Sequence, residues 1–134
     1  MRALSRFGPP VALMAIIFFL SHQPDLSTGL GGWDTVLRKL AHMASYGALW
    51  LLWWRALGYT VPALAVLIAF LYAVSDEWHQ SFIEGRHGAW TDVAIDMAGV
   101  GLAGLAIVLI ARRRGRRPPA RTAERMSTNG SVRH

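Results

Sequence analysis

The residues of this chain that could do chemistry fall into three short groups set in otherwise apolar sequence. They are Lys39, His42 and Tyr46; then Asp76, Glu77, His79 and Gln80; then Arg86, His87, Asp92 and Asp96. At about 100° per residue, Lys39, His42 and Tyr46 lie on one helical stripe, while Arg38 points away from it. Asp76, His79 and Gln80 share a face with Glu77 beside it, and Trp78 looks the opposite way. Asp92 and Asp96 are aligned with Gly99 and Ala103, small residues that let helices approach closely, so this stripe is expected to face its neighbours.

Two chemistries fit such a set. Asp76 and His79 together with His42 and Asp92 are candidate ligands for a divalent metal, because imidazole and carboxylate suit Zn2+ or Mn2+. Lys39 and Arg86 instead offer positive charge to a phosphate or pyrophosphate, with Glu77 or His79 as general base. No HExxH or comparable zinc signature is present, and the sequence leaves the metal and any other cofactor undetermined. Structural roles compete with both. Lys39 can snorkel, His42 can bond a neighbouring backbone, Asp92 can cap a helix, and Asp96 can pair with Lys39 or Arg86.

The elements that must position these residues are membrane helices. Of 134 residues, 53% are hydrophobic and only 16% charged, well below the quarter usual in a soluble domain. Runs long enough to cross a bilayer predict an all-α bundle of four transmembrane helices, over about 7–23, 36–57, 61–82 and 90–111. The first resembles a signal-peptide core, but Ser21-His22-Gln23-Pro24 is a poor cleavage site, so a retained helix is expected. Gly58 to Val61 reads as a turn, and Pro62 as the first turn of the next helix. Residues 112–134 read as an Arg-rich, disordered tail.

Charge placement orients the bundle. The tail holds eight arginines and one acid, so it accounts for the net charge of +6, the rest of the chain summing to −1. A basic cluster directly after an apolar helix is a topology anchor that meets anionic lipid rather than nucleic acid. Arg2, Arg6, Arg55 and the tail lie on one side, against Arg38, Lys39 and Arg86 on the other, which predicts both termini cytoplasmic. Every acid and histidine of the first 111 residues then falls at the outer end. The absence of cysteine excludes disulfides, thiolate metal sites and cysteine nucleophiles.

At these residues the sequence resembles the VanZ-like family of small bacterial membrane proteins. The resemblance runs through Ser21-His22-Gln23-Pro24, Arg38-Lys39-Leu40-Ala41-His42 with Tyr46, Ser75 to Phe82, Gly85-Arg86 and Asp92 to Gly99. It implies site residues at Lys39, His42, Tyr46, Asp76, Glu77, Gln80, Arg86 and Asp92. Asp96 stands where many relatives carry Asn, and His79 lies at a variable position. The family's founding member is associated with resistance to teicoplanin-type glycopeptide antibiotics, while most relatives have no known role.

Three functions follow as expectations. The first is a protein of the bacterial cytoplasmic membrane acting at its outer face on a lipid-linked or phosphorylated envelope precursor. The second is a non-catalytic binding or scaffold protein whose polar cluster locks the helices. The third, an ion or solute pathway, is disfavoured because the inner halves of the helices are apolar.

Overall fold

The computed structural model describes residues 2–23, 32–83 and 88–115. Within them the chain forms four helices: α1 (Arg2–Ser21), α2 (Gly32–Ala56), α3 (Pro62–Gln80) and α4 (Trp90–Gly115), with no strand among the described residues. All four predicted helices are present, with shifted ends. α1 begins five residues earlier than the expected start at 7, and α4 runs through Arg112–Arg114 rather than stopping before them. Arginine is a good helix former, and cations in a last turn are favoured by the helix dipole.

Pro9 and Pro10 lie inside α1, where each removes a backbone N–H and leaves a carbonyl one turn earlier without its donor. One of these carbonyls, Ser5 O, accepts a hydrogen bond at 3.3 Å from the Arg55 guanidinium at the end of α2. In return, Arg6 Nε of α1 donates to Ala56 O, in the last turn of α2 where carbonyls also lack helical partners. The two arginines therefore stitch the same ends of α1 and α2 together.

α2 ends in a Schellman turn. Gly58 and Tyr59 both take positive φ (71° and 60°), Tyr59 N–H reaches Trp54 O at 2.9 Å, and Gly58 N–H reaches Arg55 O at 3.0 Å. The Tyr59 ring closes edge-on against Trp54 at 5.3 Å, supplying the apolar contact that accompanies this motif. Pro62 then opens α3 at a position where its missing N–H costs nothing.

The core is built on small residues and a few large ones: Ala65, Ala69 and Ala73 of α3 pack inward with Tyr46, Leu49 and Trp50 of α2. The broad apolar side chains point outward. Phe18, Phe19, Leu67, Phe70, Leu71, Leu102 and Leu105 are all exposed. A bundle with alanines inside and leucines outside is arranged for an apolar surrounding. α1 and α4 are each long and apolar enough to cross a membrane. α2 and α3 fall short on their own composition, since α2 carries Asp34, Arg38, Lys39 and Arg55 and α3 ends in Asp76 and Glu77.

Candidate functional site

The N-terminal halves of α2 and α4 meet as a ladder. On the first rung Lys39 Nζ binds the Asp92 carboxylate. One turn deeper, His42 Nδ1 lies 3.5 Å from Asp96 Oδ1, and Asp96 itself is only 1% exposed. Below that the two backbones touch. A Cβ on Gly99 would stand 2.0 Å from Met43 O, and one on Gly47 would stand 2.9 Å from Gly99 O. The Lys39–His42–Tyr46 stripe and the Asp92–Asp96–Gly99 stripe expected from the sequence thus face one another along a single seam.

The pairing differs from expectation. Of the two cations expected beside Asp96, Lys39 is taken by Asp92 and Arg86 lies outside the described residues; His42 is the basic group beside Asp96. Asp92 does not cap α4 from its own side chain: its carboxylate turns to Lys39, in a first turn where a negative charge suits the helix dipole. The Ala89 N–H, just before α4, is instead satisfied by Glu77 of α3, whose Oε2 accepts it at 3.0 Å. Gly88 makes this approach feasible, since a Cβ there would lie 2.3 Å from Glu77 O.

On α3, Asp76 points into the bundle and is 2% exposed. Its Oδ2 accepts hydrogen bonds from Ser21 Oγ at 2.8 Å and Gln80 Nε2 at 3.0 Å, and Gln80 Nε2 also approaches Ser21 Oγ at 3.3 Å. Ser21 is the site residue that sequence reasoning did not single out. Its signals were its position, as the first polar residue after the apolar run of α1, and its place at the head of the Ser21-His22-Gln23-Pro24 stretch that carries the resemblance. Tyr46 is fully buried, with its ring 6.2 Å from both His42 and Tyr72.

His79 stands apart from this group. Its Nε2 lies 3.1 Å from Nδ1 of His22, and its ring packs on Phe18 at 4.6 Å. The ring centroids of the two histidines are 5.4 Å apart at 19°, so the rings meet edge to edge in nearly one plane, sharing a hydrogen bond. The metal set drawn from the sequence is therefore not assembled: Asp76, His79, His42 and Asp92 each turn to a different neighbour. No three His, Asp or Glu side chains converge as metal ligands among the described residues. Arg86, with Glu84 and His87, lies outside the described residues.

Among the described residues, the opposite end of the bundle carries Arg6, Arg55, Trp53, Trp54 and Tyr59 and no acid or histidine. Beside the polar end, Trp78 and Trp90 project outward (69% and 77% exposed). They flank a groove of about 250 Å³ lined also by Val74, Val93 and Glu77.

Taken together, an outward-facing apolar surface, two helices able to cross a bilayer and a polar cluster confined to one end define a small all-α membrane protein. A family model described as VanZ/LLP1 matches residues 9–112, from the first helix to the arginine cluster. The chain belongs to the VanZ-like family. No curated protein and no solved structure matches it.

Proposed function

We propose that this is a four-span protein of the bacterial cytoplasmic membrane, with both termini cytoplasmic. It works at the outer face on a cell-envelope component, in the manner of teicoplanin-type glycopeptide resistance. One observation carries the reading: Lys39, His42, Tyr46, Asp76, Glu77, Gln80, Asp92 and Asp96 gather at one end of the bundle, and the arginines of the other end match the cytoplasmic side of the charge rule. α2 and α3 count as spans because their charged residues sit within two turns of a helix end, where Lys39 pairs with Asp92 and Asp76, Glu77 and Arg55 have hydrogen-bond partners. Polar groups at membrane depth are costly and normally serve a site.

The target class is a lipid-linked or phosphorylated envelope precursor. Lys39 and Arg86 supply positive charge for its anionic group. His42 is the proton carrier best placed in the cluster, because the buried Asp96 carboxylate beside Nδ1 fixes the ring and leaves Nε2 for exchange. Glu77 connects this chemistry to the start of α4 through Ala89.

A second reading, a non-catalytic scaffold, draws on the Lys39–Asp92 pair and the Ser21–Asp76–Gln80 group, both of which tie helices together. One experiment separates the two. A sensitive bacterial host expressing the wild type is expected to show reduced teicoplanin susceptibility. Glu77→Gln retains an acceptor for Ala89 N–H but loses the charge, so it should reach the membrane at wild-type level and give no protection. Full protection by Glu77→Gln would hand the lead to the scaffold reading.

A further inference from the structure

We propose that the groove between Trp78 and Trp90 binds the primary ammonium headgroup of a membrane phospholipid, of the phosphatidylethanolamine kind. The proposal rests on the polar end of the bundle lying at headgroup level, as in the functional reading. It does not rest on resistance, since binding is read on the purified protein.

The groove lies between the end of α3 and the start of α4 and holds about 250 Å³. Its walls are apolar, with Val74 and Trp78 on one side and Val93 and Trp90 on the other. Phe82 braces the Trp78 indole edge-on at 5.9 Å. Two side chains with oxygen atoms, Glu77 and Ser81, also line it. Glu77 is only 7% exposed, and its Oε2 accepts the N–H of Ala89, itself a lining residue, which sets the carboxylate at the groove. Ser81 Oγ donates to Trp78 O at 2.6 Å and keeps its lone pairs for another donor.

Two indoles with a carboxylate between them select a cation. The face of an indole attracts an ammonium group more strongly than that of any other side chain. An ionised Glu77 has more acceptor sites than Ala89 uses, and a backbone amide leaves its negative charge in place. Among the described residues, Lys39 pairs with Asp92 and His42 with Asp96, so both of these basic groups are engaged elsewhere. Hydrocarbon in the groove would strip water from the carboxylate and give nothing back. A phosphate would meet like charge. A primary ammonium brings three N–H donors and a charge opposite to that of Glu77. A trimethylammonium brings no donor and would have the indoles alone.

Location decides where the ammonium comes from. Exposed tryptophans at the polar end of a membrane bundle mark the headgroup level. At about 100° per residue, Trp78, Val74, Leu71 and Leu67 lie on one stripe of α3, and Leu71 and Leu67 are exposed. A lipid whose ammonium enters the groove therefore finds an apolar track for its acyl chain directly below.

The test is thermal unfolding of the purified protein in detergent, titrated with phosphatidylethanolamine, phosphatidylcholine or phosphatidylglycerol of one short acyl length, or with ethanolammonium chloride. Phosphatidylethanolamine should raise the midpoint saturably, by about 5 °C or more in large excess over its Kd. The other two lipids and the free amine should do less at equal concentration. Glu77→Gln keeps an acceptor for Ala89 N–H and should lose the response. Trp90→Leu, at an exposed position, should respond with an affinity about tenfold weaker. Trp33→Leu, exposed but outside the groove, should respond as the wild type does. Equal shifts from the three lipids would overturn the proposal, and free ethanolammonium acting as well as the lipid would overturn its lipid source. An undiminished response in Glu77→Gln would also sink it, or, should that variant fail to fold, an unchanged affinity in Trp90→Leu. Such a failure leaves the functional reading to its own test, since neither Lys39 nor His42 lines the groove.

Discussion

Replacing Gly99 with alanine should break the α2–α4 seam and cost the protein at least about 3 kcal/mol, the upper range for forcing atoms into a packed interior. The added Cβ would lie 2.0 Å from Met43 O and 2.7 Å from the Met43 carbonyl carbon. Both are backbone atoms of a neighbouring helix, so no side chain can rotate away and the helices themselves must part. Gly101, two residues on, is the control: a Cβ there meets nothing within 4 Å. Gly101→Ala should therefore gain up to about 1 kcal/mol from helix propensity. The measurement is unfolding of both variants in detergent. Equal stabilities would show that α2 and α4 are not packed backbone to backbone at Gly99.

The second large effect is expected at Gly88, and it should reach the site. In Gly88→Ala the Cβ would stand 2.3 Å from Glu77 O and 3.3 Å from Ser81 Cβ, again with backbone as the main obstacle. Relief requires the segment before α4 to lift from the end of α3, and that breaks the bond from Ala89 N–H to Glu77 Oε2. A buried carboxylate left without its donor costs about 1–3 kcal/mol, added to the steric cost. Stability should fall by about 2 kcal/mol or more. Protection against teicoplanin should be lost at expression levels where Gly101→Ala still protects. Retained protection with wild-type stability would mean that the α3–α4 connection does not position the site.

Much of this arrangement was legible in the sequence, and the reason is periodicity. Apolar runs located four helices, and a 100° step placed Lys39, His42 and Tyr46 on one stripe and Asp92, Asp96 and Gly99 on another. Those stripes do meet. Which rung pairs with which was not legible, because pairing depends on the relative depth of two helices. That depth is fixed by the Gly47–Gly99 contact, a property of neither helix alone. The same limit explains Asp96, whose neighbour is His42 rather than a formal cation.

Glu77 illustrates a different limit. Its type suggested a base, but its carboxylate holds the Ala89 N–H, and only the path of the chain after α3 could reveal that. His79 shared a helical face with Asp76 and Gln80, yet α1 passes close enough to take it, through His22 and Phe18, away from the metal set. Ser21 was quoted in the resemblance but given no role, because a lone serine at the end of an apolar run carries no periodic pattern. Its role exists only where Asp76 lies 2.8 Å away. Pro9 and Pro10 fall within the span expected over 7–23, and α1 passes through them, with Arg55 from α2 covering the Ser5 carbonyl that Pro9 leaves open.

The central claim is that the polar end of the bundle faces outward from the cytoplasmic membrane, and the lack of native cysteine makes it directly testable. Phe82→Cys places a thiol at the exposed polar end of α3, and Thr60→Cys places one at the opposite end, in the exposed turn after α2. Intact cells expressing each variant would be treated with a membrane-impermeant maleimide, and a second sample treated after lysis. The account predicts that Phe82→Cys is labelled in intact cells and that Thr60→Cys is labelled only after lysis. Labelling of Thr60→Cys in intact cells, with Phe82→Cys protected until lysis, would put the site in the cytoplasm and contradict it.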